Sequence, residues 1–134
     1  MINSVLIYDG TFEGLLTCIF QVYEQKLFGC HIQNQSVAVP MLFSQRILVE
    51  TKPDKAARVW NGLEKKAGKI SQRRFISLYL SELPEMGQLF FGYMQYVFTS
   101  RMNVEKDYSN NYVLKVSQIE RKVLREKHRM EAFV

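Results

Sequence analysis

Apolar positions along this chain alternate between short unbroken runs and helical spacings. "SVLIY" (Ser4 to Tyr8) is an aliphatic, β-branched run closed by the turn signal Asp9-Gly10, and it predicts a strand. Leu15, Leu16, Ile19, Phe20 and Tyr23 then recur on one helix face, with Thr11 placed to cap the first turn, so a helix is expected to run to about Lys26. Residues 28–44 show no period and contain Pro40; they read as a connecting loop with room for one short element. "QRILVET" (Gln45 to Thr51) predicts a second strand. Thr51 with Asp54 resembles a capping box, and Pro53 falls in the first turn, where its missing donor costs little. Ala56, Val59, Trp60 and Leu63 line one face of the helix that follows, and Gly68 is its natural stop. Helical connections favour parallel pairing of the two strands without fixing it.

Beyond Gly68 the pattern is helical throughout. Ser71 is placed to cap a helix carrying Phe75, Ile76, Leu78, Tyr79 and Leu83, which Pro84 ends or bends. "MGQLFFGYMQYVF" is too apolar for a surface helix and is expected to cross the core, its Met and aromatic residues acting as packing. A polar connection, "SRMNVEKDYSNN", leads to a last helix starting between Tyr108 and Asn111, with Tyr112, Val116, Ile119, Val123 and Met130 as its expected buried stripe. The fold class read from this pattern is α+β, mostly helical, with two short N-terminal strands and about five helices. Residues 1–134 read as a single domain.

Composition narrows the function classes more than it selects one. With 47% hydrophobic and 23% charged residues the chain reads as a soluble globular protein. No apolar run approaches the roughly 18 to 20 residues of a membrane span. "MINSVLIYDG" lacks the basic and long apolar regions of a secretory signal, which makes a cytoplasmic location the expectation. Cys18 and Cys30 are too few for a disulfide framework, and Cys30-His31 has only His128 and Cys18 as further soft ligands, so no metal site is expected. Phosphate-loop, dinucleotide, zinc-protease and nucleophile-elbow motifs are all missing, and no cofactor is implied.

Charge is placed unevenly. Of a net +5, the segment from Lys115 to Arg129 holds six Lys/Arg against Glu120 and Glu126. Arg121, Arg125, His128 and Arg129 share one helix face at spacings of three and four, with Lys122 at its edge. Guanidinium forks match phosphate oxygens with paired hydrogen bonds, and a histidine within the row adds a donor or a proton-transfer group. The same row also fits a solvated face, in which Glu120 and Glu126 neutralise part of the charge and the cations favour the helix dipole. Asp9 and Glu13 are carboxylates that a fold could bring to His128, although Asp9 fits the turn that its neighbour Gly10 signals. Arg73-Arg74 reads as a solvated pair unless the fold aligns it with the last helix.

Three passages together carry a resemblance. "IYDGTFEGLLTCIF" (Ile7 to Phe20), "VETKPDKAARVWNGLEKKAG" (Val49 to Gly68) and "KVLREKHRMEAF" (Lys122 to Phe133) resemble the opening, the second segment and the basic helix of the bacterial family of probable DNA metabolism proteins. The motif positions fall on Tyr8, Asp9, Gly10 and Phe12 at one end and on Arg125, Glu126, His128, Arg129 and Met130 at the other. The resemblance implies a role near DNA repair or modification, beside a radical SAM protein or a uracil-DNA glycosylase-like protein. It also implies a longer family domain, which runs on through Arg-Phe into further strands and carries glycine where Ala132 stands.

The function expected on these grounds is an accessory factor in DNA repair or DNA modification. It would bind DNA through Arg121, Lys122, Arg125, His128 and Arg129. An alternative is a protein-interaction module that presents the same helix to the radical SAM or glycosylase-like partner. A third, ranked last, is a nucleotide-processing enzyme using His128 with a carboxylate such as Asp9 or Glu126.

Overall fold

A computed structural model describes residues 4–37, 45–83, 85–100 and 107–132. Pro40, Pro84, the connection over 101–106 and the terminal Phe133-Val134 lie outside the described residues. The elements in chain order are β1 (Ser4–Tyr8), α1 (Phe12–Gln25), β2 (His31–Asn34), a 3-10 turn (Gln35–Val37), β3 (Gln45–Leu48), α2 (Pro53–Leu80), α3 (Met86–Thr99) and α4 (Asn111–Ala132). The protein is therefore α+β and mostly helical. The chain forms two compact units, Met1–Gly62 and Leu63–Val134.

The first unit is built on a sheet of order β2-β1-β3 with both pairings parallel. β1 is central and buried at all five positions, as an unbroken aliphatic run demands of a parallel strand. Among the described residues three strands form where two were expected. The additional one, β2, lies in the stretch read as a loop with room for one short element, and only its Ile32 is buried. A polar four-residue strand has no alternation to read; its pairing with β1, Val5 opposite His31 through Tyr8 opposite Asn34, makes it a strand.

Thr11 caps α1 as expected, its hydroxyl accepting from the Gly14 N–H at 2.9 Å, and the helix ends on Lys26 in the left-handed conformation. Leu15, Leu16, Ile19 and Val22 bury the inner face. Trp60 meets Phe12 edge-on at 5.3 Å, and the Lys55 ammonium lies 5.1 Å from the Phe20 ring.

Among the described residues four helices are found rather than about five, because the segments on either side of Gly68 join as one 28-residue element, α2. Gly68 adopts φ 82° and ψ −174°, so it bends the helix where it was expected to end it. Ser71, expected as a cap, is instead buried inside α2. The expected capping box also fails: α2 starts at Pro53, and the Thr51 hydroxyl donates to Asp9 at 2.7 Å.

In the second unit Phe75 of α2 packs on Phe90 and Tyr93 of α3, at 4.8 Å in each case. Leu78, Met94 and Val97 complete the apolar centre, so α3 crosses the core as its composition required. Ile76 departs from its expected place and is 42% exposed.

Candidate nucleic-acid interface

The last helix is anchored at its start and exposed along most of its second half. Asn110 caps it, its side-chain oxygen accepting from the N–H groups of Tyr112 at 2.9 Å and Val113 at 3.3 Å. Val113, Val116, Ser117 and Ile119 are buried. From Arg121 to Met130 every residue is exposed except Val123, which is half-buried. The buried stripe is thus shorter than expected. Tyr112 is 41% exposed and Met130 72%; among the described residues the last buried position of the stripe is Ile119, with Val123 half-buried after it.

Arg121, Lys122, Arg125, His128 and Arg129 all lie on this exposed half. One of the two acids expected to neutralise part of the row is engaged elsewhere. Glu120 points inward, its carboxylate 3.7 Å from Nε of Arg74, and near the start of the helix Lys115 lies 3.8 Å from Glu85. Among the described residues no ion pair engages Arg121, Lys122, Arg125 or Arg129. Five Lys/Arg from Arg121 to Met130 face one acid there, Glu126.

Arg74 departs from the solvated place expected of it. It is 6% exposed, whereas Arg73 beside it is exposed as expected. Burial works against its charge, but the hydrogen bond and field of Tyr93, with Glu120 and Tyr108, outweigh that and raise its pKa. The Tyr93 contact measures 3.5 Å and the Glu120 contact 3.7 Å, so the carboxylate acts on Nε through charge and not through a hydrogen bond. The one sequence signal was the condition already named, alignment of Arg73-Arg74 with the last helix.

Asp9 belongs to the first unit and His128 to the second. The Asp9 carboxylate accepts from the Thr11 N–H at 2.9 Å, the Thr11 hydroxyl at 2.5 Å and the Thr51 hydroxyl at 2.7 Å. These bonds, those of Thr11 and Thr51 first, hold its pKa below the ordinary carboxylate value, and Asp9 ties the end of β1 to the segment entering α2. Beside it Thr17 accepts from the Lys52 N–H at 3.1 Å. Burial, with Cys30 nearby, pushes the Cys18 thiol far up, and burial raises Cys30 as well, so both stay protonated at neutral pH. Among the described residues no group of three His, Cys, Asp or Glu could hold a metal ion, and no helix is long and apolar enough to cross a membrane.

These features define a small parallel sheet unit followed by a helical unit that presents a basic helix. Residues 84–134 match a domain of unknown function, DUF4130. That match takes in α3 and the whole of α4, including Arg121 to Arg129, and leaves the sheet outside it. No curated protein and no solved structure matches the chain.

Proposed function

We propose that this chain is an accessory factor in DNA repair or modification that binds nucleic acid through the exposed half of α4. One observation supports this above the rest. With Glu120 turned in to Arg74, Arg121, Lys122, Arg125 and Arg129 are exposed on a stretch, Arg121 to Met130, that carries five Lys/Arg against the single acid Glu126. The arginines and Lys122 contact phosphate oxygens, and His128 supplies a further donor to them. The pathway, and a radical SAM or uracil-DNA glycosylase-like protein as partner, rest on the resemblance of the opening and terminal motifs.

Three or four phosphate contacts give log K against log salt a slope of about −3 on duplex DNA. A salt titration on labelled single- and double-stranded DNA, with wild type and Arg125→Glu/Arg129→Glu, tests this. Loss of both affinity and slope in the variant is the expected result; the same affinity and slope would sink the assignment.

A second reading is favoured by Leu124 and Met130, 46% and 72% exposed beside the cations. In it α4 docks on an acidic, partly apolar surface of the partner protein. Co-purification that survives the loss of DNA binding, and ends with Leu124→Ser/Met130→Ser, selects this reading.

A further inference from the structure

The outer edge of β3 carries a row of side chains that the nucleic-acid reading does not use. β3 pairs with β1 on one side, and among the described residues no strand pairs with its other side. The Val49 N–H bonds the Ile7 carbonyl at 2.8 Å, which fixes the direction of the backbone groups. N–H and C=O of one residue point the same way and alternate along a strand, so Val49 and Ile47 face β1 while Arg46 and Leu48 face outward. Glu50 lies two residues past the end of β3, and strand alternation carried on to it makes it the third outward position. Arg46, Leu48 and Glu50 are all exposed, and Leu48, at 76%, is the most exposed of the large hydrophobic residues described.

We propose that this edge pairs antiparallel with the same edge of a second copy, with the two-fold axis at Leu48. The row reads cation, apolar, anion. Turned about a two-fold it meets its own complement: Leu48 stands opposite Leu48, and each Arg46 opposite the other copy's Glu50. All three are outward-facing positions, so each opposed pair is of the doubly hydrogen-bonded kind and the open backbone groups of both edges are satisfied. Centring the axis on Arg46 would oppose the two guanidinium groups, and centring it on Ile47 would leave both charges without a partner. Lys52 lies 3.9 Å from Glu50 within the chain, an exposed pair too weak to withhold it. The edge is short and is expected to bury far less than the ~1,600 Å² of a standard interface, so a weak, concentration-dependent dimer is expected.

Sedimentation velocity from about 5 to about 500 µM reads this by mass action. Wild type is expected to pass from monomer to dimer over that range. Arg46→Glu and Glu50→Arg, each placing like charges opposite one another, are expected to raise the dissociation constant at least about tenfold. The double variant Arg46→Glu/Glu50→Arg restores the pairing with the charges exchanged, and only this register predicts that rescue. Both positions are exposed, so far-UV circular dichroism is expected to be unchanged in all three variants. A wild-type protein that stays monomeric throughout overturns the proposal and leaves the edge to a strand of another protein. A dimer indifferent to the single charge reversals, or a double variant without rescue, overturns it equally.

Discussion

Arg74 on α2 and Glu120 on α4 face each other at 3.7 Å inside the second unit, and this pair takes one acid of the last helix out of its exposed face. By turning inward, Glu120 compensates a cation that is 6% exposed and leaves Glu126 as the single acid from Arg121 to Met130. A packing interaction and a candidate binding surface are thus linked through one carboxylate.

Removing one member of that pair should cost more than removing both. Glu120→Gln leaves a buried guanidinium without its counter-charge, and a loss of about 2 kcal/mol is expected, less than for a fully buried pair because Glu120 is partly solvated. Arg74→Met/Glu120→Leu, which replaces charge by apolar volume, is expected within about 1 kcal/mol of wild type. Urea midpoints at constant m distinguish the two cases. A single variant as stable as wild type would mean that water, not Glu120, balances Arg74.

Asp9 should make stability depend on pH at the acid end. Its pKa is held below the ordinary 3.8 by Thr11 and Thr51. Its contribution is therefore fully present above the unfolded value and is lost as pH falls through the folded one. Asp9→Ala is expected to cost about 1 kcal/mol near neutrality for the lost hydrogen bonds. The gap between wild type and variant should stay constant above about pH 5 and close below the unfolded pKa of 3.8. Thermal unfolding of both proteins from pH 7 down to 3 measures this; a gap that widens in acid would contradict the assignment.

Gly68 should be intolerant of a side chain for reasons of backbone alone. Its φ of 82° with ψ of −174° lies in a region that only glycine adopts readily, yet nothing stands within 4 Å of where a Cβ would be. Gly68→Ala is expected to lose about 1–3 kcal/mol with no steric overlap. If α2 straightened through the substitution, helix content by circular dichroism would rise and the loss would shrink.

What could be read in the sequence was local. Thr11 announced its cap, the aliphatic run of β1 its burial, and the composition of α3 its path through the core, because each depends on neighbours within a turn or a strand. The row Arg121, Arg125, His128 and Arg129 was legible for the same reason, being a matter of spacing along one helix. β2 was not, since "HIQN" becomes a strand only against β1. Thr51 was misread because its hydroxyl answers to Asp9, far away in sequence, and not to the helix beside it. Arg74 and Glu120 were misread together: each looked solvated among its own neighbours, and only the meeting of α2 with α4 buries the pair. Met130 fits the period of the buried stripe, but the surface that stripe needs ends before it.

Tyr112 shows the converse, a residue that is exposed and still shapes the packing. It is 41% exposed, and its ring covers Gly92 of α3 so closely that an added Cβ would overlap the ring atoms. Glycine at this buried helical position costs about 1 kcal/mol of helix propensity relative to alanine, which the close approach of α4 offsets. Gly92→Ala in the wild-type background is expected to destabilise by about 1–2 kcal/mol as the ring is driven outward. In a Tyr112→Ala background the same substitution meets open space and is expected to be neutral or to stabilise by up to about 1 kcal/mol. The coupling, read from urea unfolding of the four proteins in a double-mutant cycle, should reach about 1–2 kcal/mol. Equal effects in both backgrounds would show that Tyr112 yields freely and that Gly92 is needed for another contact.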